Sequence, residues 1–168
     1  MVSAEHSPLP ALYLDVDGVV LVGKVSETAS PFADYGEYDN AYYDRRVVGA
    51  LGELIAKTEV VWVTTWEDTA HYVTREFGWP PLRFLPLDRD RSKDARTSIS
   101  VKLPVVKEDL GSSGRPFVWV DDQITPAIVA DIDESYSQPH LLISPDKRFG
   151  VQEADISKME QFLAALAV

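Results

Sequence analysis

Five short apolar runs, separated by segments with helical spacing, constrain this sequence more than any other feature. They cover residues 11–16, 60–63, 82–87, 117–120 and 141–144. Each is apolar throughout or nearly so, which is the pattern of a strand covered on both faces. The run at 82–87 contains Pro86, which has no N–H to give to a ladder, and so reads as an edge strand. Between these runs the spacing changes. In residues 44–57, Val47, Leu51, Leu54 and Ile55 share one helical face, interrupted by Gly49 and Gly52. In residues 68–77, Ala70, Val73 and Phe77 recur at helical intervals, and Gly78 stands where a C-cap belongs. Thr125 before Pro126 reads as an N-cap and first helical residue. From Ala154 onward, Ile156, Met159, Phe162, Leu163 and Leu166 form an amphipathic tail. Strands alternating with helices predict an α/β fold: a Rossmann-like parallel sheet of about five strands with helices on both faces.

The chain has 168 residues, enough for one domain with a sizeable core, and shows no internal repeat or dividing linker. Residues 1–10 are expected to form a flexible lead and residues 11–168 a single domain. The absence of cysteine excludes disulfides, thiolate metal sites and a thiol nucleophile. No run approaches the roughly 18 apolar residues of a membrane span, and the first residues lack the apolar stretch of a signal peptide. A cytoplasmic protein is the expectation. The net charge of -11 argues against binding along an extended nucleic acid, but not against gripping a single phosphate.

Parallel sheets of this kind bind ligands beyond the carboxyl ends of their strands. The residues expected there are Asp15 and Asp17 after the first run, Thr64 and Thr65 after the second, and Asp121 and Asp122 after the fourth. Four carboxylates at one rim repel unless cations offset them, and a divalent metal with oxygen ligands is the simplest answer. Magnesium suits that donor set. A metal beside threonine hydroxyls and backbone N–H groups makes a phosphate site. Gly18 would let the turn approach such a ligand closely. In an extended segment, positions i and i+2 point the same way, so Asp15 and Asp17 would face one substrate. One could attack phosphorus while the other moves protons.

The segments LYLDVDGVV, VVWVTTW, a following lysine and FVWVDD, in that order, resemble the four motifs of the haloacid dehalogenase-like (HAD) superfamily. The resemblance implies a magnesium-dependent phosphohydrolase that forms an aspartyl phosphate. By it Asp15 is the nucleophile, Asp17 the general acid/base, and Thr64 the phosphate-binding hydroxyl. Asp121 is then a metal ligand, with Asp122 a second ligand or a group behind it, and the main-chain carbonyl of Asp17 completes the protein's share. The motif lysine is Lys102 or Lys107. Lys102 is favoured because Pro104 suggests a helix beginning just after it, which would leave Lys107 inside that helix and facing solvent. The form WVTTW, with KLP and WVDD downstream, is similar to small HAD domains associated with RNA-repair proteins, pointing to a nucleotide or a nucleic-acid end phosphate as substrate.

The interval after Asp17 is too short for a large cap, so a short flap is expected, which the tyrosines of residues 35–44 would pack onto the domain. Those tyrosines could instead stack on a base. Arg45, Arg46, Arg75 and the loop 89–96 offer local basic contacts. Trp66 reads as a packing residue or pocket wall. His6, His71 and His140 show no metal spacing. Two rivals remain: a phosphorelay receiver domain, disfavoured because its acidic pair should follow the first strand, and a catalytically idle HAD-derived binding protein.

Overall fold

The computed structural model describes residues 9–32, 41–87, 99–111 and 114–167. Most of the expected N-terminal lead, His6, Tyr35, Tyr38 and the arginine-rich loop 89–96 lie outside the described residues.

Five strands form one wholly parallel sheet: β1 (Ala11–Leu14), β4 (Glu59–Trp62), β5 (Arg83–Phe84), β6 (Phe117–Val120) and β7 (His140–Ile143). Their order is β5-β4-β1-β6-β7. The chain runs outward from β1 through β4 to β5, then returns to the other side of β1 for β6 and β7. The order therefore reverses between β1 and β6, and a ligand crevice belongs at that point. The run containing Pro86 is an edge strand as expected, but its paired part is only Arg83–Phe84.

Alternate residues of each strand feed two cores, because successive side chains point to opposite faces. Leu12, Leu14, Val60, Trp62, Val118 and Val120 join one cluster, which Leu51 and Leu54 of α1 (Arg45–Leu54), Val73 of α2 (His71–Glu76) and Ile156 and Met159 of α5 (Glu153–Leu166) complete. Tyr13, Val61, Val63, Phe117 and Trp119 join the other, covered by Val106 of α3 (Ile99–Leu110) and by Ile128 and Ile132 of α4 (Pro126–Ser135). Burial on both faces accounts for the apolar runs of the central strands β1, β4 and β6, while Arg83 of the edge strand β5 is exposed.

The helix ends follow local chemistry. The Asp44 carboxylate accepts from the Arg46 N–H and caps α1, while Thr125 caps α4 ahead of Pro126. Gly52 is part of α1 because a Cβ there would lie 2.9 Å from the Trp79 indole nitrogen. The segment expected as one helix over 68–77 is split, with a 3-10 turn at Glu67–Ala70 leading into α2. Gly78 closes it at φ 68. The helix expected to start just after Lys102 instead begins at Ile99, and Pro104 lies inside it.

A small flap follows β1. Val22 bridges Tyr42 antiparallel, and β2 (Ser30–Pro31) pairs with β3 (Tyr42–Tyr43). Tyr43 packs onto the domain as expected: its ring centroid is 4.9 Å from that of Phe77, and its hydroxyl donates to Glu76 at 3.0 Å. Among the described residues there is no large cap, and no helix is long and apolar enough to cross a membrane.

Candidate active site

Sheet register brings the acids together. Leu14 pairs with Val120, so Asp15 and Asp121, each next in chain, leave neighbouring strands at the same level. Parallel neighbours lie about 4.8 Å apart. The ladder continues one residue further, with the Asp15 N–H donating to Val120 and the Asp121 N–H to Ile143, both at 3.1 Å. Both residues are buried, at 4% and 0% exposure.

Lys102 reaches them from the first turns of α3, itself 1% exposed. Its ammonium donates to Asp15 Oδ2 at 2.6 Å and to Asp121 Oδ2 at 2.7 Å. The other oxygens accept main-chain N–H groups: Asp15 Oδ1 from Val16 at 2.7 Å and Asp121 Oδ1 from Gln123 at 2.9 Å. Gln123 also ties the two elements together, since its Oε1 accepts from the Ile99 N–H at 3.3 Å. Of the two candidate lysines, only Lys102 reaches the rim. Lys107 is half-buried rather than fully solvated and bonds to α4, through Asp131 at 2.7 Å and Ser135 at 2.9 Å.

Burial, partly offset by the Lys102 ammonium and reinforced by Asp121, pushes the Asp15 carboxyl up to about 7. Burial works against the Lys102 charge, yet Asp15 and Asp121 outweigh it and hold the ammonium above its ordinary range. Asp122, half-buried, is raised by burial and by Asp121. One carboxylate oxygen each from Asp15, Asp121 and Asp122 lie within 4.8 Å of one another. Three carboxylates against one buried ammonium leave an excess of negative charge, and hard oxygen donors at this spacing fit magnesium.

Asp17 stands apart from that trio. The strand ends at Leu14, and the chain turns over Val16–Leu21, where the Val20 and Leu21 N–H groups both donate to the Val16 carbonyl at 3.0 Å. The i, i+2 rule for extended chain therefore does not apply. Asp17 is exposed, and its Oδ2 accepts the Trp66 indole N–H at 2.9 Å. Gly18 is also required for a reason internal to the rim. At φ 71, a Cβ there would lie 2.9 Å from Asp122 Cγ and 3.0 Å from Lys147 Cβ, so the bare glycine makes room for the third acid. Thr64 is buried at the end of β4, and its Oγ1 accepts from the Trp66 N–H at 3.3 Å; Thr65 is exposed.

Three contributors escaped the sequence reading. Trp66 reads in the sequence as a packing residue or pocket wall, and its place directly after the two threonines is the signal for the further role of its N–H. Lys147, on the loop after β7, approaches Gly18 and Asp122 across the rim, and no local pattern marks it. Ser144 Oγ donates to the Asp122 carbonyl at 3.2 Å, holding that loop against the acid pair.

No curated protein matches the chain. The profile of the family described as "HAD domain in Swiss Army Knife RNA repair proteins" matches residues 11–156, from the start of β1 into α5. That span holds the rim acids, Thr64 and Lys102, and with the parallel sheet it places the chain in this family of HAD domains.

Proposed function

We propose that this HAD-type hydrolase is a magnesium-dependent phosphomonoesterase acting on a nucleotide or on the terminal phosphate of a nucleic acid. The observation that carries the reading is Lys102 held between Asp15 and Asp121, with Asp122 completing a trio of acids at the sheet rim. Asp15, Asp121 and Asp122 are the side chains proposed to hold the cation, alongside the Asp17 carbonyl. Bound there, magnesium would supply positive charge to the phosphoryl oxygens and the nucleophile.

In the proposed reaction a carboxylate oxygen of Asp15 forms a bond to phosphorus. The bond from phosphorus to the ester oxygen breaks, its electron pair leaves with that oxygen, and Asp17 delivers a proton to it. In the second half-reaction water attacks phosphorus while Asp17 takes its proton. The bond to Asp15 then breaks, returning the carboxylate and releasing inorganic phosphate. Lys102 offsets charge on Asp15 throughout, and Thr64 with nearby N–H groups holds phosphoryl oxygens. Among the described residues the rim carries no large cap, which leaves room for the end of a long substrate. The net charge of -11 favours contact with one phosphate over an extended tract.

The test is a panel of small phosphorylated metabolites, nucleotides, and 3′- and 5′-phosphorylated oligonucleotides, assayed with magnesium and with chelator. Magnesium-dependent phosphate release, abolished in Asp15→Asn with the fold intact, is the expected result. Turnover near wild type in that variant would remove Asp15 as nucleophile. A folded wild type inactive on the whole panel would favour the idle binding protein.

A further inference from the structure

Asp17 poses a problem that the trio of acids does not. It is exposed, it sits on a turn, and among the described residues no cation pairs with it, whereas a proton carrier must be held within a fraction of an ångström of its target. An exposed aspartate otherwise samples its rotamers on a fast timescale. Something must hold it.

We infer that Trp66 is the positioning residue for Asp17, tethering one carboxylate oxygen through the indole N–H and presenting the other for proton transfer. This inference rests on the phosphomonoesterase reading. The tether itself is anchored. Trp66 is 8% exposed, and Phe32, at the end of the flap, meets it edge to face with ring centroids 6.0 Å apart. Its main-chain N–H donates to Thr64 Oγ1 at 3.3 Å, and Glu67, the next residue, turns the chain at φ 49. One residue thus connects the proposed phosphate hydroxyl to the proposed proton carrier, across a sequence separation that local pattern does not bridge.

The choice of tether fits the task. Asp17 must lose a proton in one half-reaction and gain it in the next. An arginine or lysine in place of the indole would bind the carboxylate as an ion pair. The neutral indole N–H holds it through one directional hydrogen bond. The packing of Phe32 on the indole also couples the flap to Asp17, so flap position and acid position are set together.

The experiment compares wild type, Trp66→Phe, Asp17→Asn and the double variant on an aryl phosphate and an alkyl phosphate. An aryl leaving group needs little protonation and an alkyl one needs it fully. Trp66→Phe keeps an aromatic ring to face Phe32 and removes the N–H donor together with part of the indole. The expected result is a fall in kcat of about ten- to a hundredfold on the alkyl ester, a much smaller fall on the aryl ester, and a KM that moves little. In the Asp17→Asn background the same substitution should change nothing further. Equal losses on both esters, or an undiminished loss in that background, would make Trp66 merely structural and overturn the inference. Wild-type rates in Trp66→Phe would do the same. Should Trp66→Phe fail to fold, hydrogen exchange at the Trp66 indole of the wild type, measured beside Asp17→Ala, decides the matter. Protection lost with the carboxylate supports the tether, and unchanged protection refutes it. An inactive wild type would instead bring down the phosphomonoesterase reading, leaving the exchange measurement to judge the tether alone.

Discussion

Replacing Lys102 by Met tests the centre of the site most directly, because it removes a charge and keeps most of the volume. Lys102 is 1% exposed and donates to two carboxylates that are themselves 6% and 0% exposed as side chains. The substitution leaves Asp15 and Asp121 facing each other in a buried place with main-chain donors but no cation. Removing one partner of a buried ion pair costs about 3–5 kcal/mol, since the other charge stays desolvated. For a domain of this size, each kcal/mol lowers Tm by roughly 2–4 °C, so a fall of about 6–20 °C is expected in chelator. The pH dependence has a definite sign. Asp15 is already pushed up to about 7 by burial, against the pull of Lys102, so losing the ammonium raises it further. A carboxyl raised in the folded state contributes stability that is present below its unfolded value and lost as pH rises through its folded value. The deficit should therefore shrink in acid and widen above neutrality. Magnesium should restore part of it by supplying the missing charge. Thermal melts across pH, with and without magnesium, measure all three effects. A variant within about 1 kcal/mol of wild type at every pH would show that the acids do not depend on Lys102, and the electrostatic account would fail.

Other perturbations separate the site from the scaffold. Gly18→Ala must place a Cβ 2.9 Å from Asp122 Cγ at φ 71, costing about 1–2 kcal/mol in backbone strain alone; calorimetry should show magnesium affinity reduced several-fold or more as Asp122 is displaced. In metal-free protein, folding keeps Asp15 protonated up to about 7 whereas its ordinary value is 3.8, so stability should fall as pH rises through that window. A proton and a cation compete for the same carboxylate, so magnesium should raise Tm more at about pH 8 than at about pH 5, as scanning calorimetry would show. Tyr13→Phe removes a hydroxyl that donates to Asp109 at 2.7 Å, but Arg83 still pairs with that carboxylate through two bonds. A cost of about 1 kcal/mol with unchanged phosphatase activity is expected from melts and assays together.

The sheet is legible in the sequence because its apolar runs are too short for buried helices and alternate with segments of helical spacing. All five runs became paired strands, and the acids following runs one and four do meet. The features that are not legible depend on where a turn closes or on contacts between distant segments. Asp17 was placed by a rule for extended chain, which stops holding where the Val16 carbonyl draws in the next turn. The second reason for Gly18 is invisible in the sequence, because Asp122 and Lys147, the groups it makes room for, lie more than a hundred residues on. The start of α3 was set too late because Pro104 was taken for a first-turn residue, whereas the helix accommodates it after Lys102. The right lysine was favoured even so, because the rim position was inferred correctly although the helix boundary was not. Trp66 was read by its ring, which does pack, and not by its N–H, whose acceptor is 49 positions away.

Charge balance at the rim implies that cation and phosphate bind as a set. Lys102 offsets one of three clustered carboxylates, which leaves too much negative charge for a phosphoryl group to approach unaided. A divalent cation on the same acids would remove that excess and leave their oxygens partly neutralised, and an arriving phosphate dianion would then be attracted where before it was repelled. The coupling is reciprocal, because whatever phosphate gains from the metal, the metal gains from phosphate. Burial of Asp15 and Asp121 sharpens the effect, since each uncompensated charge counts for more away from water. The same burial that makes the acids costly to ionise is thus what would make an ordinary magnesium ion and one phosphate sufficient to recognise each other here, with the flap and Trp66 left to aim the proton.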